Sequence, residues 1–413
     1  MTDMAVTPAR QDAQVIGLVA FGHFSSHFFQ LVLPPLFPLL ALTFGCGYAE
    51  LGALMTVFYV SSGLAQTASG FIVDRLGANR VLPAGLALLA LGMLLIGLVP
   101  AFWMMFPLVM LAGFGNSVFH PANYAIMTHR VQPKRLARAY SLHTLSGTLG
   151  WAAAPVTMLS LVALGSWRIA LVTVGLAGIG VAMLLVTQRS TLAFGHAATP
   201  TIPSRSGGRS GARSATTLQL LTARPVLLCF VYFTLLAVAL VGMQTFLPTS
   251  LMQLYKTPLA IASAAVTAYL LANGAGTLFG GWLADRTTNH DRIVAIGLAV
   301  AAALVLLIGS VKLADPALIS VIAVAGFMAG ITTPSRDMLV RGATPPGSTG
   351  KVFGFVYSGL DLGSSVAPLV LGVVLDHGHP GVMFQLMAGA LAATILAAVL
   401  LKGSSPAPVA VAE

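Results

Sequence analysis

Apolar stretches of membrane-spanning length recur twelve times along the chain. They lie near 15–43, 49–73, 81–99, 102–128, 139–164 and 168–187, then near 225–254, 258–284, 293–313, 316–342, 351–375 and 380–401. A helix rises 1.5 Å per residue, so about 20 apolar residues cross the roughly 30 Å hydrocarbon layer. Each run therefore predicts one transmembrane helix. The strands of a membrane barrel would read as alternating segments of about 10 residues, and these runs are longer. The pattern predicts an all-α polytopic membrane protein with twelve transmembrane helices.

Composition sharpens this. Of the 413 residues 57% are hydrophobic and only 8% charged, and the mean hydropathy is +0.90. Soluble domains carry about 25% charged residues, so lipid must be the solvent and the bilayer a partner. The net charge of +10 is unevenly spread. Arg130, Lys134, Arg135 and Arg138 share one linker, and Arg189, Arg205, Arg209, Arg213 and Arg224 fall in or beside another. Loops on the other side hold Arg168, Lys256 and Lys312. This asymmetry follows the positive-inside rule, places both termini in the cytoplasm and argues against nucleic acid as a partner. The opening "MTDMAVTPARQDAQ" lacks a basic start and a small-residue cleavage site, so the first run reads as a retained helix.

Cys46 and Cys229 lie far apart and imply neither a disulfide framework nor a metal site. His23 and His27 have metal-compatible spacing, but no further ligand joins them in sequence, so no metal is expected. No phosphate-cradling glycine loop with Lys-Ser/Thr occurs, so ATP and other cofactors have no support.

The chain divides in two. Between the sixth and seventh runs lies "RSTLAFGHAATPTIPSRSGGRSGARSATT", whose Ser, Gly, Thr and Arg read as a flexible cytoplasmic linker. The expected organisation is an N-terminal six-helix bundle over 1–187, a linker over 188–224 and a C-terminal six-helix bundle over 225–413. "GFIVDRLGANR" (70–80) follows the second run and "GGWLADRTTNHDR" (280–292) the eighth, with Asp74 and Asp285 separated by 211 positions. "GFGNSVFHP" (113–121) matches "GFMAGITTP" (326–334), and "GWAAAP" (150–155) matches "GSSVAP" (363–368), both at an offset of 213. A near-constant offset at three places points to a duplicated six-helix unit.

Polar residues interrupt the apolar runs in a pattern. In the fourth run Asn116, His120 and Asn123 stand at i, i+4 and i+7, within about 60° of one another on a helix. The first run repeats this with His23, His27 and Gln30. Polar groups turned to lipid would lack partners, so both stripes must face protein or water. They line a substrate path, with Tyr124 beside them, or they make interhelical hydrogen bonds worth about 0.6 kcal/mol each. Pro121 removes a backbone donor and invites a kink beside His120.

The second half offers Gln244, Thr333 and Arg336 as further binding candidates. Arg336 aligns with Asn123 and either snorkels or binds an anion; Asp337, about 100° round the helix, is expected to point elsewhere. Asp361 lies about ten residues into the eleventh run, near 15 Å by helical rise. A lone acid at that depth costs at least about 2.5 kcal/mol, so it must be paired, wet or protonated. It is the foremost proton carrier, with His27 and His120 as further proton-coupling candidates and His143 as another titratable group at depth.

Parallel six-helix halves with a midplane site between them are the architecture of the major facilitator superfamily, and "GFIVDRLGANRVL" resembles that superfamily's loop 2–3 signature. The resemblance implies a pseudo-symmetric pair of bundles. Gly70 would permit close helix packing. Asp74 would sit near a helix N-terminus in one closed arrangement, favoured there by roughly 0.3–1 kcal/mol. Arg75 and Arg80, around the loop glycine Gly77, would hold the cytoplasmic gate. Asp285 and Arg286 form a second copy that lacks the loop glycine. "GFGNSVFHPAN" and "FGHFSSHFFQLVLPPLFPLL" are similar to the fourth and first helices of fosmidomycin-resistance-type transporters, with two departures: His27 stands where those carry an acid, and Ala122 replaces the acid after His-Pro. In the superfamily, helices 1, 4, 7 and 10 line the central cavity, which puts both polar stripes on a substrate path.

The function implied is a secondary active transporter, not an enzyme. It would be a monomer in a bacterial inner membrane, working by alternating access on a small, polar or anionic compound. Proton-coupled efflux is the first expectation, a proton-coupled uptake symporter for a small organic anion the alternative, and a non-transporting receptor or scaffold a third class.

Overall fold

The computed structural model describes residues 8–194, 217–345 and 349–402. The centre of the expected linker, with Arg205, Arg209 and Arg213, lies outside the described residues. The described chain is helical throughout its spans and contains no strand.

In the first half, α1 is Pro8–Gln30, continued after a 3-10 turn at Pro34–Leu36 by Phe37–Phe44. Then come α2 (Tyr48–Leu76), α3 (Ala78–Ile96), α4 in two segments (Met105–Asn116 and Phe119–Arg130), α5 (Pro133–Ala163) and α6 (Trp167–Thr187). The second half holds α7 (Arg224–Tyr255), α8 (Leu259–Ala284), α9 (His290–Ser310), α10 (Asp315–Gly342), α11 (Thr349–Asp376) and α12 (Pro380–Lys402). Among the described residues eleven stretches are long and apolar enough to cross a membrane. The twelfth, α2, has 29 residues but carries Ser61, Ser62, Gln66 and Ser69 through its centre.

Local chemistry sets the breaks. Pro34 and Pro35 withdraw two successive donors and interrupt α1. Pro121 cannot bond back to the Ser117 carbonyl, and α4 opens at Ser117–Val118. Gly77 has φ +87 between α2 and α3, a conformation closed to most side chains. Pro133 starts α5, and the Ser166 hydroxyl accepts the Ile169 N–H to cap α6.

The duplication is visible in the packing. The pairs α1–α5, α2–α4, α3–α4 and α3–α6 recur as α7–α11, α8–α10, α9–α10 and α9–α12. At the α8–α10 crossing Gly276 and Gly280 lie on the Phe327 and Ile331 carbonyls, while Gly326 and Gly330 lie on those of Tyr269 and Asn273. Such reciprocal small residues let backbones approach closely. At the equivalent α2–α4 crossing, Ser117 occupies the place of Gly330 and its hydroxyl bonds that of Ser69 at 2.7 Å.

The halves meet through α2–α11 and α5–α8. The contacts begin at the face opposite the termini. Asp376 accepts the Tyr48 and Ala49 N–H groups at 2.6 and 2.9 Å. The Thr56 hydroxyl donates to the Ser365 carbonyl at 2.6 Å, and that of Thr267 to Ala152 at 2.9 Å. They reach mid-helix, where Gly63 abuts Asp361 and Gly274 abuts Thr148. On the terminal face, Arg135 pairs with the buried Asp12 at 2.6 Å and ties α5 to α1 within one half.

Candidate functional site

The two polar stripes converge with a third element. On α1, His23 and His27 lie one turn apart with ring centroids 4.2 Å apart. His143 of α5 stacks on His23 at 3.6 Å, nearly parallel. His120 of α4 stands 5.5 Å from His23 and 6.4 Å from His143. Trp151 of α5 covers His27 at 4.2 Å. Four imidazoles thus form one cage.

Small residues on α5 make the cage possible. A Cβ at Gly147 would lie 2.6 Å from His27 Nδ1 and 2.9 Å from His23 Nε2. A Cβ at Gly150 would overlap the Phe24 carbonyl. The Asn123 amide and His143 Nε2 share a hydrogen bond at 3.1 Å. His23 Nδ1, His27 Nδ1 and Asn123 Oδ1 are buried without a partner. Such groups are rare in folded proteins and call for a ligand, water or proton. His23, His27 and His143 are buried. His120 is enclosed by protein on nearly every side yet keeps open surface, as does Tyr124, which stacks on it at 6.2 Å. These two rings line interior space. Two unit charges about 4 Å apart repel by about 4 kcal/mol at an effective dielectric near 20, so the cage accommodates at most one extra proton.

Gln30 and Asn116 behave differently from the expectation that they face substrate. Trp151 Nε1 donates to Gln30 Oε1 at 3.0 Å, Gln30 Nε2 to Asn116 Oδ1 at 3.1 Å and Asn116 Nδ2 to Ser62 Oγ at 2.9 Å. Their amides are spent on a strap that joins α5, α1, α4 and α2.

The opposite wall carries charge. Arg336 Nε donates to Asp337 Oδ1 at 2.9 Å. The expectation that Asp337 points away from Arg336 is therefore corrected: the long arginine stem carries its guanidinium round the helix to the neighbouring carboxylate. Tyr357 of α11 donates to the same oxygen at 3.0 Å, and the guanidinium lies 4.7 Å over the Phe233 ring of α7. Only 11% of the Arg336 side chain is exposed, so it does not snorkel to the surface. Arg336 aligns with Asn123 at the repeat offset, so the pseudo-symmetry of the two bundles sets this α10 wall against the α4 wall of the cage. Thr333 is half-buried one turn before it, and Gln244 is buried in α7. Asp361 is exposed beside Gly63 and has no ion-pair partner among the described residues.

The gate residues are apart in this conformation. Asp74, Arg75 and Arg80 are exposed, and none forms an ion pair among the described residues. Arg286 folds back over Trp282 at 4.0 Å, and Asp285 is exposed beside it. Gly70 does not serve close helix packing here, because a Cβ on it would meet nothing within 4 Å; the loop glycine that backbone geometry requires is Gly77. Among the described residues no three His, Cys, Asp or Glu side chains are set to hold a metal ion.

Two roles were missed by sequence reasoning. His143 was counted only as a titratable group at depth, because no polar stripe on α5 marks it for the cage, and Asp376 sits at a helix end where an acid looks like ordinary loop polarity. Neither has a counterpart at the repeat offset.

The sequence profile of the Major Facilitator Superfamily matches this chain over residues 19–262 and 243–413. The fosmidomycin resistance protein of Escherichia coli (strain K12) is 23% identical over 396 residues, covering 93% of this chain and 92% of that protein. The membrane sensor protein UhpC of Salmonella typhimurium is 24% identical over 367 residues, covering 86% and 82%. Among solved structures, a bacterial homolog of the human lysosomal transporter Spinster, inward-facing and unoccupied, superposes with a TM-score of 0.76 at 15% identity, covering 96% of this chain and 99% of that one.

Proposed function

This chain belongs to the Major Facilitator Superfamily, and on that premise we propose that it is a proton-coupled secondary transporter of a small anionic or polar compound, working by alternating access. It is a multi-pass membrane protein of the all-α, two-bundle fold and not an enzyme. The observation that carries the proposal is the imidazole cage with its unpartnered buried nitrogens, opening through His120 and Tyr124 onto interior space opposite Arg336. Residues 1–187 and 225–413 rock as bundles, and 188–224 tethers them. The termini lie in the cytoplasm of a bacterial inner membrane, and the monomer is the working unit. When the terminal face closes, Asp74, Arg75 and Arg80 engage the other bundle, as Asp285 and Arg286 do in the second copy, while the Asp376 contacts at the far face release.

Two directions of coupling are available. Export is supported by the resistance protein among the relatives, with Asp361 as the proton carrier. Uptake by symport is supported by the cage, where no carboxylate touches the imidazoles and an anion and a proton are complementary. A sensor among the relatives makes flux itself the first test. In proteoliposomes with an imposed pH gradient, uphill substrate movement opposite to protons gives antiport, movement with them symport, and no flux a receptor.

A further inference from the structure

We propose that the histidine cage loads one proton and one monovalent organic anion together, from the same side and in the same step. This rests on the transport reading and deepens it, because it names what the site takes and fixes the sign of coupling.

The groups facing the cage are few. The first segment of α1 contributes His23 and His27, the second segment of α4 contributes His120 and Tyr124, and α5 contributes His143 with Tyr140 beside Tyr124. Asn123 and Trp151 are polar but uncharged. Behind α1, the helices α3 and α6 present Leu82 and Leu185 at Gly22. Asp337 of α10 is already engaged by Arg336 and Tyr357. The cage therefore contains no negative group that could balance a positive charge.

Neutral, the cage has no electrostatic hold on an anion. With one proton it carries a single positive charge on one ring, whose neighbours lie with centroids 3.6 and 4.2 Å apart, and the same proximity repels a second proton. The unpartnered nitrogens of His23 and His27 give the proton a place to sit. The open surface of His120 and Tyr124 gives an anion a place to approach. The balance is neutral cage plus proton plus monovalent anion giving a neutral loaded cage, with nothing oxidised or reduced. Linkage makes the effect reciprocal: whatever factor the proton adds to anion affinity, the anion adds to proton affinity. A site built this way moves both in one direction, and the loaded form carries no net charge across the membrane.

The test uses the purified full-length protein and a panel of acetate, benzoate and methylphosphonate, with benzamide as the neutral isostere of benzoate. Calorimetry in two buffers of different ionisation enthalpy counts protons. The expected result is uptake of about one proton per bound anion, with affinity falling about tenfold per pH unit above the cage's titration range, and no binding of benzamide. His120→Gln and His143→Gln should each abolish the pH dependence, while Arg341→Gln, at an exposed position in the last turn of α10, should leave it intact. Should the histidine variants fail to fold, the wild-type proton count alone decides. Proton release, pH-independent binding, or no binding of any panel anion at pH 5.5 overturns the proposal. Flux opposite to the proton gradient would keep the transport reading and sink this one; co-loading without flux would do the reverse.

Discussion

Asp376 offers a direct handle on the conformational equilibrium. It ends α11 and accepts two N–H groups from the start of α2, in the other bundle, at 2.6 and 2.9 Å. The first amides of a helix have no internal partner, and the helix N-terminus favours negative charge. Gly47 makes room, since a Cβ there would lie 2.6 Å from Asp376 Oδ2. Hydrogen bonds to charged groups contribute about 1.5–3 kcal/mol each when sheltered, and the helix dipole adds roughly 0.3–1 kcal/mol. The site is exposed, which argues for the low end, so the pair together holds this face closed by about 3 kcal/mol. Asp376→Asn keeps one neutral acceptor and should forfeit about 1–2 kcal/mol, shifting the ratio of open to closed by roughly 5- to 30-fold. The assay is electron–electron distance measurement between spin labels at positions 164 and 312, on the two bundles at this face, in a background with Cys46 and Cys229 replaced by Ser. The long-distance population should grow in Asp376→Asn and further in Asp376→Ala. Distance distributions that match the parent in both variants would refute the latch.

Four further outcomes are expected. Asp74→Asn should slow transport with near-normal expression, because the terminal-face gate closes less firmly; wild-type flux would end that role. Arg336→Ala should weaken binding of benzoate several-fold, whereas Arg341→Ala should change it little, and Lys at 336 should rescue only partly because it lacks the planar fork; equal affinities in the two alanine variants would show that Arg336 serves only the Asp337–Tyr357 network. Asp361→Asn should retain pH-gradient-driven accumulation, because the cage carries the proton; loss of uphill transport with intact counterflow would move the proton to Asp361 and the coupling to export. Cys46, in the turn between α1 and α2, is half-buried and close to Glu50, and burial first and that charge second push its thiol up to about 11. Only the thiolate reacts, so maleimide labelling of Cys46 should be slow at pH 7 and rise toward pH 11, and labelling at the rate of a free thiol would contradict the placement.

Twelve apolar runs and their repeat were legible in the sequence because each depends on local rules. Span length is set by the bilayer, and the duplication by a constant offset. The kink near Pro121 belongs to the same class. Pairing across space was not legible. Periodicity placed His23, His27 and His120 on faces, but it could not show that α5 brings His143 into a 3.6 Å stack with His23, because nothing local to α5 encodes its rotation against α1. It counted Gln30 and Asn116 among the substrate contacts, and their amides turned out to hold each other. It separated Arg336 from Asp337 by angle, yet a long flexible stem closed the gap. The sequence by itself fixed which residues lie at depth in the bilayer and therefore need partners. The tertiary structure decided which partners they found, because contacts between helices depend on their rotation and crossing, and these are set jointly by small residues such as Gly147 and Gly150 on one helix and the backbone of the next.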